Sequence, residues 1–314
     1  MARDDDDRKS QSRTGRWATL RRTIAEFRDD NLSDWAAALT YYGLLSPFPA
    51  LIALDSLVGL VGDPQETTET LTEIVTSVGP ESAAQTFSGP IESITENRSA
   101  AGFALVFSLL VALWSASAYV GAFIRASNVI YEVPEGRPFW KLRPLQLLVT
   151  LVMILLVAMV ALGLVLTGPV VEAVADPIGL SATAVDVWNV AKWPALVAVV
   201  ITMIAILYYA SPNARLRGFR WVTPGSLVAV VVWAIASAAF AFYVANFGSY
   251  DKTYGTLAGL VALLVWFWIT NLAILLGHQL NAERERSREL EEGRPGAESD
   301  LELEPRSRLS DESA

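Results

Sequence analysis

Six long apolar segments, each nearly free of charge, alternate with short polar segments along the chain. Each apolar segment contains at least the roughly 20 residues that an α-helix needs to cross the hydrocarbon core of a bilayer. Six such segments in one chain predict an all-α fold, a polytopic membrane helical bundle with six transmembrane helices. The predicted spans are 36–62, 101–125, 145–167, 188–210, 222–247 and 255–281.

The basic residues gather in every second polar segment. Of the 24 Lys and Arg residues, 21 lie in the two tails and in the segments 125–144 and 211–221. The other three are Arg98, Lys192 and Lys252, which lie in the alternate segments. Because loops rich in Lys and Arg stay on the cytoplasmic side, this asymmetry predicts that both termini are cytoplasmic. The predicted location is the cell (inner or plasma) membrane, crossed several times.

Charge also divides the chain into three parts. Residues 1–33 form a predicted cytoplasmic tail, and residues 34–282 form the six-helix transmembrane domain. Between the first two spans, the segment 63–99 holds seven acids against Arg98 and predicts a small helical cap on the outer face. From residue 282 onward, eleven acids accompany six bases, so we predict a disordered acidic cytoplasmic tail over 283–314.

One part of the N-terminal tail has helical periodicity. Four apolar residues recur at helical spacing with arginines between them, namely Trp17, Leu20, Ile24 and Phe27. An apolar stripe flanked by Arg predicts an amphipathic helix that lies on the inner membrane surface in contact with anionic lipid. The alternative is a soluble helix packed on the cytoplasmic loops.

Composition and motifs exclude several classes of protein. Hydrophobic residues make up 53% of the chain and charged residues 18%, which is too little charge for a soluble α-helical protein of 314 residues. There is no cysteine, so disulfides, iron–sulfur clusters and thiolate zinc sites are excluded. The only histidine, His278, cannot build a multi-histidine metal site by itself. Because it lies at the inner end of the sixth span, we interpret it as an interfacial polar residue and not as a catalyst.

No enzyme signature is present either. The chain contains no Walker A loop, GxSxG, HExxH or dinucleotide fingerprint. It also has no basic face large enough for nucleic acid. The sequence therefore predicts a protein that is not an enzyme, with no catalytic, cofactor-binding or metal-binding residues and no nucleic-acid partner.

The first predicted span contains the strongest local irregularity, Ser46-Pro47-Phe48-Pro49. Two prolines two residues apart remove two backbone donors and force a kink or an unwound turn. The carbonyls that this frees need partners inside the protein or in a water-filled cavity. Asp55 follows within the same span, and an intramembrane acid indicates either a functional site or an acid bonded to a neighbouring helix or lying near the outer interface.

Other polar residues interrupt the fifth and sixth spans and the turn between them. Asparagine and glutamine side chains in such positions either bridge helices or line a path through the membrane. The candidate cavity-lining residues are Tyr41, Tyr42, Ser46, Pro47, Pro49, Asp55, Asn246, Tyr250, Tyr254, Asn271, Gln279 and Asn281.

Several stretches, taken together and in order, resemble one known family. They are Ala36-Ala37-Ala38-Leu39-Thr40-Tyr41-Tyr42, Ser46-Pro47-Phe48-Pro49, Tyr131 with Arg137-Pro138-Phe139-Trp140, Pro212-Asn213, Pro224-Gly225, Asn246-Phe247-Gly248-Ser249-Tyr250, Thr253-Tyr254-Gly255, and Gly277 with Leu280-Asn281-Ala282-Glu283. From about 16 to 285 the chain resembles the YihY / virulence factor BrkB family of bacterial inner-membrane proteins. Where that family commonly has an acid and a small residue, this chain has Gln279 and His278.

The resemblance implies a membrane protein whose biochemical activity is not established. Members have carried a ribonuclease label and a serum-resistance label, and the ribonuclease label fits this chain badly because clustered His, carboxylates or metal ligands are missing. We expect transport, or the handling of a lipid or other amphiphile, through a cavity near the first, fifth and sixth spans. The alternatives are a non-catalytic envelope scaffold or interaction protein and, third, a membrane-bound nuclease. Membrane lipids are the expected partners, and the sequence specifies no oligomeric state.

Overall fold

The computed structural model describes residues 15–46, 98–165, 182–216, 218–246, 258–297 and 301–308. Within these ranges the fold is all-helical, with seven helices and no strand, which confirms the all-α part of the predicted fold class. The helices are α1 (Arg16–Asp29), α2 (Leu32–Leu45), α3 (Arg98–Ile130), α4 (Phe139–Val165), α5 (Ala182–Ala210), α6 (Pro224–Asn246) and α7 (Ala258–Glu291).

Five of these helices are long and apolar enough to cross a membrane, and they coincide with the second to sixth predicted spans. The candidate spans are Leu109–Ile130, Phe139–Leu164, Val185–Ala210, Pro224–Asn246 and Gly259–Glu291, the last of which continues beyond its apolar part into charged residues. Helix α6 begins at Pro224, where the missing backbone donor costs no hydrogen bond because the first turn of a helix has no intrahelical acceptor for it.

The first predicted span, 36–62, is described only as far as Ser46. Its described part is helix α2, which packs against α3 and α7 and buries Leu32, Ala36 and Leu39 completely. The spacing of three to four residues places these side chains on one face of the helix. The rest of this span lies outside the described residues, as does the predicted outer cap, except for residues 98 and 99 at the start of α3. The count of six spans therefore stays a prediction.

The core of the bundle lies between α2, α3 and α7, where large apolar side chains such as Phe123, Ile124 and Leu275 are buried. Helix α6 packs along α7, and α4 lies between α3 and α5. Many aliphatic side chains of α4 remain exposed, including Leu148 and Leu155. In a bilayer these residues face lipid, because an exposed aliphatic surface of this extent is stable in hydrocarbon and not in water.

Both ends of the described chain lie at the same end of the bundle. The Arg22 Nε donates to Glu283 Oε2 over 2.8 Å, and the Leu301 backbone amide donates to Glu132 Oε2 over 2.9 Å. We call this the polar end. It is formed by residues 15–31, 131–138, 211–216, 218–223, 282–297 and 301–308. The compartment that it faces is the prediction made from the Lys and Arg residues.

The prediction of a disordered tail from residue 283 onward is wrong for the residues that the structure describes. Helix α7 continues to Glu291, and Glu283, Arg286 and Glu289 are buried. Farther along, Ala214 and Pro305 form an antiparallel β-bridge, so the 301–308 segment packs on the loop after α5. The charged composition of this tail is typical of a solvated segment, but here many of its charges pair with other segments of the polar end.

Candidate functional site

His278 lies in a stack of aromatic rings close to the polar end. Its ring centroid is 4.4 Å from that of Tyr208, 5.2 Å from Tyr131 and 5.6 Å from Phe123. Its Nε2 lies 2.9 Å from the Ser127 Oγ, and the residue has no exposed surface. The interpretation of His278 as an interfacial residue is therefore wrong. Three rings from distant parts of the chain cover it, and no local pattern around His278 indicates them.

A pocket opens beside this stack, at the level where α5 ends, α6 begins and α7 leaves the apolar part of the bundle. Its volume is about 90 Å³. Three tyrosines form part of its wall, and three arginines and one glutamate supply its charge. The lining residues are Tyr131, Ala205, Tyr208, Tyr209, Leu216, Gly218, Arg220, Thr223, Pro224, Asn281, Arg284, Glu285 and Arg288.

The charges of the pocket do not balance. Arg288 Nη1 donates to Glu285 Oε2 over 2.7 Å, so this pair is neutral. Arg220 and Arg284 form no ion pair or hydrogen bond among the described residues. Burial, with Glu285 nearby, raises the pKa of the Tyr131 phenol, so Tyr131 stays uncharged. The pocket therefore presents two uncompensated guanidinium groups, each able to bind a phosphate or carboxylate through two parallel hydrogen bonds.

The loop that carries Arg220 is held in place by Asn213. The Asn213 backbone amide donates to Asn128 Oδ1 over 2.8 Å. Its side-chain Nδ2 donates to the carbonyl oxygens of Pro134 and Ser307, over 2.9 and 2.8 Å. One fully buried residue thus joins α3, the loop after α3, the loop after α5 and the C-terminal segment.

An ion pair fixes the loop after α3 against the end of α5. Burial favours the neutral form of Glu135, but hydrogen bonds from Arg137 and Asn128 outweigh it and hold the pKa of Glu135 below its usual value. Arg137 Nη2 donates to Glu135 Oε2 over 2.7 Å and to the Ser211 carbonyl oxygen over 2.8 Å. The framework around the pocket is therefore tied by charge-assisted hydrogen bonds at several points.

The predicted cavity-lining residues are scattered in the structure. Pro47, Pro49, Asp55, Tyr250 and Tyr254 lie outside the described residues. Tyr41 is exposed, and Tyr42 packs on the core with its ring 5.3 Å from that of Tyr41. The hydroxyl of Ser46 and the amide of Asn246 each bond to a carbonyl of their own helix or turn.

Asn271 and its neighbours form a direct bridge between helices. Its Nδ2 donates to Thr40 Oγ1 over 3.1 Å, and its Oδ1 accepts from the Tyr119 hydroxyl over 2.8 Å. Helices α2, α3 and α7 are thus joined by one amide. Asn271 therefore bridges helices, which is one of the two roles that the sequence left open, the other being to line a path through the membrane.

The two remaining candidates lie close to the pocket. Asn281 lines it, accepts from the Gly225 amide over 2.9 Å and donates to Thr223 Oγ1 over 3.0 Å, which fixes the start of α6. Gln279 is buried, and its Oε1 has no hydrogen-bond partner among the described residues.

The sequence analysis missed the arginines and all three tyrosines of the pocket. Arg residues in the loops were interpreted only as topology signals. One pattern indicates the site, because Asn281, Arg284, Glu285 and Arg288 recur at spacings of three and four, which is one face of a helix. The rest of the wall comes from α5 and from two loops, and nothing in the sequence brings these together.

Comparison with known proteins gives one family and several relatives. The family described as Virulence factor BrkB matches residues 23–301. YfkH of Bacillus subtilis, which is named a ribonuclease-like protein, is 31% identical over 260 residues, covering 83% of this chain and 92% of its own. A UPF0761 membrane protein of Chromohalobacter salexigens is 28% identical over 302 residues, covering 89% of this chain and 68% of its own.

A UPF0761 membrane protein of Xanthomonas campestris is 27% identical over 260 residues, and this chain spans only 57% of its length. No solved structure is significantly similar to the chain. The five apolar helices and these relatives define a multi-pass protein of the inner (plasma) membrane. More particularly, the chain belongs to the Virulence factor BrkB family, which confirms the resemblance found in the sequence.

Proposed function

We propose that this protein handles an anionic amphiphile of the membrane, binding its phosphate-bearing headgroup in the pocket and leaving its acyl chains in the bilayer. The observation that supports the proposal most directly is the pair Arg220 and Arg284, two guanidinium groups without a counter-charge among the described residues, beside a wall of tyrosines. The proposed activity is binding and movement of a lipid, without covalent chemistry.

The size of the pocket supports a headgroup and not a whole lipid. A volume of about 90 Å³ equals that of a few water molecules, which suits a phosphate group. An acyl chain does not fit in this space and has to lie outside. The exposed aliphatic faces of the neighbouring helices supply a surface for such chains.

The depth of the pocket also supports this proposal. It lies where the apolar segments ending at Ala210 and beginning at Pro224 meet the polar end. Trp221 and Trp140 are exposed at nearby ends of helices, as is typical of side chains at the boundary between hydrocarbon and headgroups. A cationic pocket at this level meets lipid phosphates without taking any charge into the hydrocarbon.

Binding of phospholipid by the full-length protein in detergent tests the first half of the proposal. The Arg220→Gln/Arg284→Gln double variant is expected to bind phosphatidylglycerol about tenfold or more weakly than the wild type, which is about 1.4 kcal/mol or more. Binding of phosphatidylcholine is expected to change less. Arg215→Gln is the matched control, because Arg215 is an exposed arginine of the same loop, paired with Glu304 and absent from the pocket wall. Equal losses of phosphatidylglycerol binding in the control and in the double variant contradict the proposed headgroup site.

Movement is tested separately by reconstitution into vesicles that contain a fluorescent phosphatidylglycerol. The wild type is expected to accelerate exchange of the labelled lipid between leaflets, and the double variant is expected to lose most of this acceleration. If the wild type binds the lipid but does not accelerate its exchange between leaflets, the proposed movement is contradicted and the proposed binding is still supported.

A further inference from the structure

Helix α1 is amphipathic, but it packs on the rest of the protein mainly through its polar face, and of its large apolar side chains Phe27 at the C-terminal end packs against the core. Thr19 and Thr23 are buried, whereas Trp17, Leu20 and Ile24 are 84%, 42% and 47% exposed. A surface helix of a soluble protein normally buries its apolar side and exposes its polar side. The opposite arrangement here indicates that something apolar covers the exposed side.

Specific bonds hold the polar face of α1 against the extension of α7. Thr19 Oγ1 lies 2.9 Å from Ser287 Oγ, and Arg22 Nη2 donates to the same Ser287 oxygen over 2.6 Å. Arg22 Nε donates to Glu283 Oε2 over 2.8 Å. These bonds therefore fix the orientation of α1 relative to α7.

A second set of charges fixes the same contact from the side of α7. Arg286 Nη1 donates to Glu26 Oε1 over 3.0 Å, and carboxylate oxygens of Glu283 and Glu132 lie 3.5 and 3.9 Å from it. The Arg286 side chain is only 4% exposed. Since a buried guanidinium is stable only with such partners, this cluster specifies one docked position for α1.

The docked position holds α1 beside the ends of two bundle helices, α2 and α7. The turn at Asp30 and Asn31 joins α1 to α2, and the helix it contacts is α7 at the point where α7 leaves its apolar stretch. Asn31 has a φ of 51°, a left-handed conformation that asparagine tolerates better than most residues and that reverses the chain tightly. Helix α1 is thereby held close to the ends of two bundle helices.

Charge decides which apolar surface covers this face. Arg21 and Arg28 are exposed and share the side of α1 that carries Trp17, Leu20 and Ile24. A second copy of the same face would bring like charges together. An anionic bilayer surface provides both the apolar layer for the three apolar side chains and the phosphates for the two arginines.

We infer that α1 is a membrane-surface anchor, in which the polar face binds the α7 extension and the apolar face rests in the headgroup region of an anionic leaflet. The inference is independent of the proposed headgroup pocket. The apolar face of α1 is covered by lipid, and the experiment below distinguishes lipid from a protein partner and from water.

The absence of native cysteine allows a direct test with single-cysteine variants of the full chain. Leu20→Cys and Ile24→Cys place a fluorescent label on the proposed lipid face. Ala25→Cys is the control, because this exposed residue lies roughly 100° farther round the helix from Ile24. Each labelled protein is reconstituted into vesicles of phosphatidylcholine with phosphatidylglycerol, and quenching by brominated phospholipid and by aqueous iodide is measured.

Labels at 20 and 24 are expected to be quenched severalfold more by the brominated lipid than the label at 25, and correspondingly less by iodide. Replacing phosphatidylglycerol with phosphatidylcholine, or combining the label with Arg21→Gln and Arg28→Gln, is expected to reduce the difference. Equal access of iodide to positions 24 and 25 overturns the inference. Shielding of positions 20 and 24 from both quenchers also overturns it, because a protein then covers the face.

Discussion

Gly225 of α6 and Gly277 of α7 face each other so closely that a methyl group on either would collide with the carbonyl oxygen of the other. A methyl group on Gly277 would also lie 2.7 Å from the Tyr208 hydroxyl. The two helices therefore approach backbone to backbone at this point, which only glycine permits. The Asn281 bond to the Gly225 amide lies one turn away and fixes the same crossing.

Gly277→Ala is expected to lower the free energy of unfolding by about 1–3 kcal/mol, because the added methyl group forces α6 and α7 apart. Thermal unfolding of the purified protein in lipid nanodiscs measures the change. Gly259→Ala, in the same helix, is the matched control, since a methyl group there meets no atom within 4 Å among the described residues. The control is expected to be neutral or slightly stabilising, because Ala is the better helix former. Equal effects of the two substitutions contradict the close approach.

Asp30, at the end of α1, makes stability depend on pH. Burial, followed by repulsion from Glu26, Glu132, Asp29 and Glu283, raises the pKa of Asp30 to about 7. The folded protein therefore binds more protons than the unfolded chain between about pH 4 and pH 7, and its stability falls as pH rises through that window.

Asp30→Asn is expected to remove this fall and to raise the unfolding temperature at about pH 8 while changing it little at about pH 4. The gain is on the order of 1–2 kcal/mol, because partial exposure screens the repulsion. Asp34→Asn is the control, since Asp34 is an exposed acid close in the chain that is not among the acids that raise the pKa of Asp30. Thermal unfolding across this pH range measures both variants, and a similar pH profile in all three proteins is evidence against the shift.

The amide of Asn271 is expected to stabilise the bundle because it bonds to helices α2 and α3 together. Asn271→Ala is expected to cost about 1–2 kcal/mol, as polar bonds between membrane helices commonly do. Asn246→Ala replaces the same residue type at an exposed position whose bond stays within α6, and is expected to cost much less. A double-mutant cycle with Tyr119→Phe isolates the Asn271–Tyr119 bond. A coupling energy of zero shows that this bond contributes nothing.

The C-terminal segment is expected to come loose when Asn213 is replaced. Asn213→Ala removes the bonds to Pro134 and Ser307 and leaves buried groups without partners, at a cost of about 2–4 kcal/mol. Limited proteolysis is expected to cut near 301–308 severalfold faster. Arg215→Gln removes only an exposed ion pair with Glu304 and is expected to cost less than about 1 kcal/mol. Unchanged proteolysis of Asn213→Ala contradicts the central role of this residue.

The apolar helices were predictable from the sequence alone. Spans 2 to 6 are found with their ends shifted by ten residues or fewer. They were predictable because the need to satisfy backbone hydrogen bonds in hydrocarbon acts on each segment separately. The clustering of the basic segments at one end was predictable for the same reason, since each loop carries its own charge signal. Residues 23–301 also carry enough of the family pattern to place the chain in its family.

The tertiary structure alone decided which polar groups meet. In the sequence, Glu283 and Arg286 are typical of a solvated tail. In the structure they pair with Arg22 and Glu26, which lie more than 250 positions earlier in the chain. The position of His278 in the sequence is typical of an interfacial residue, but in the structure aromatic rings from α3, α5 and the loop after α3 enclose it. Hydropathy belongs to each segment, whereas the environment of a charge depends on partners far away in the chain. For that reason the sequence determined the membrane helices of this protein, and only their packing created the arginine-lined pocket.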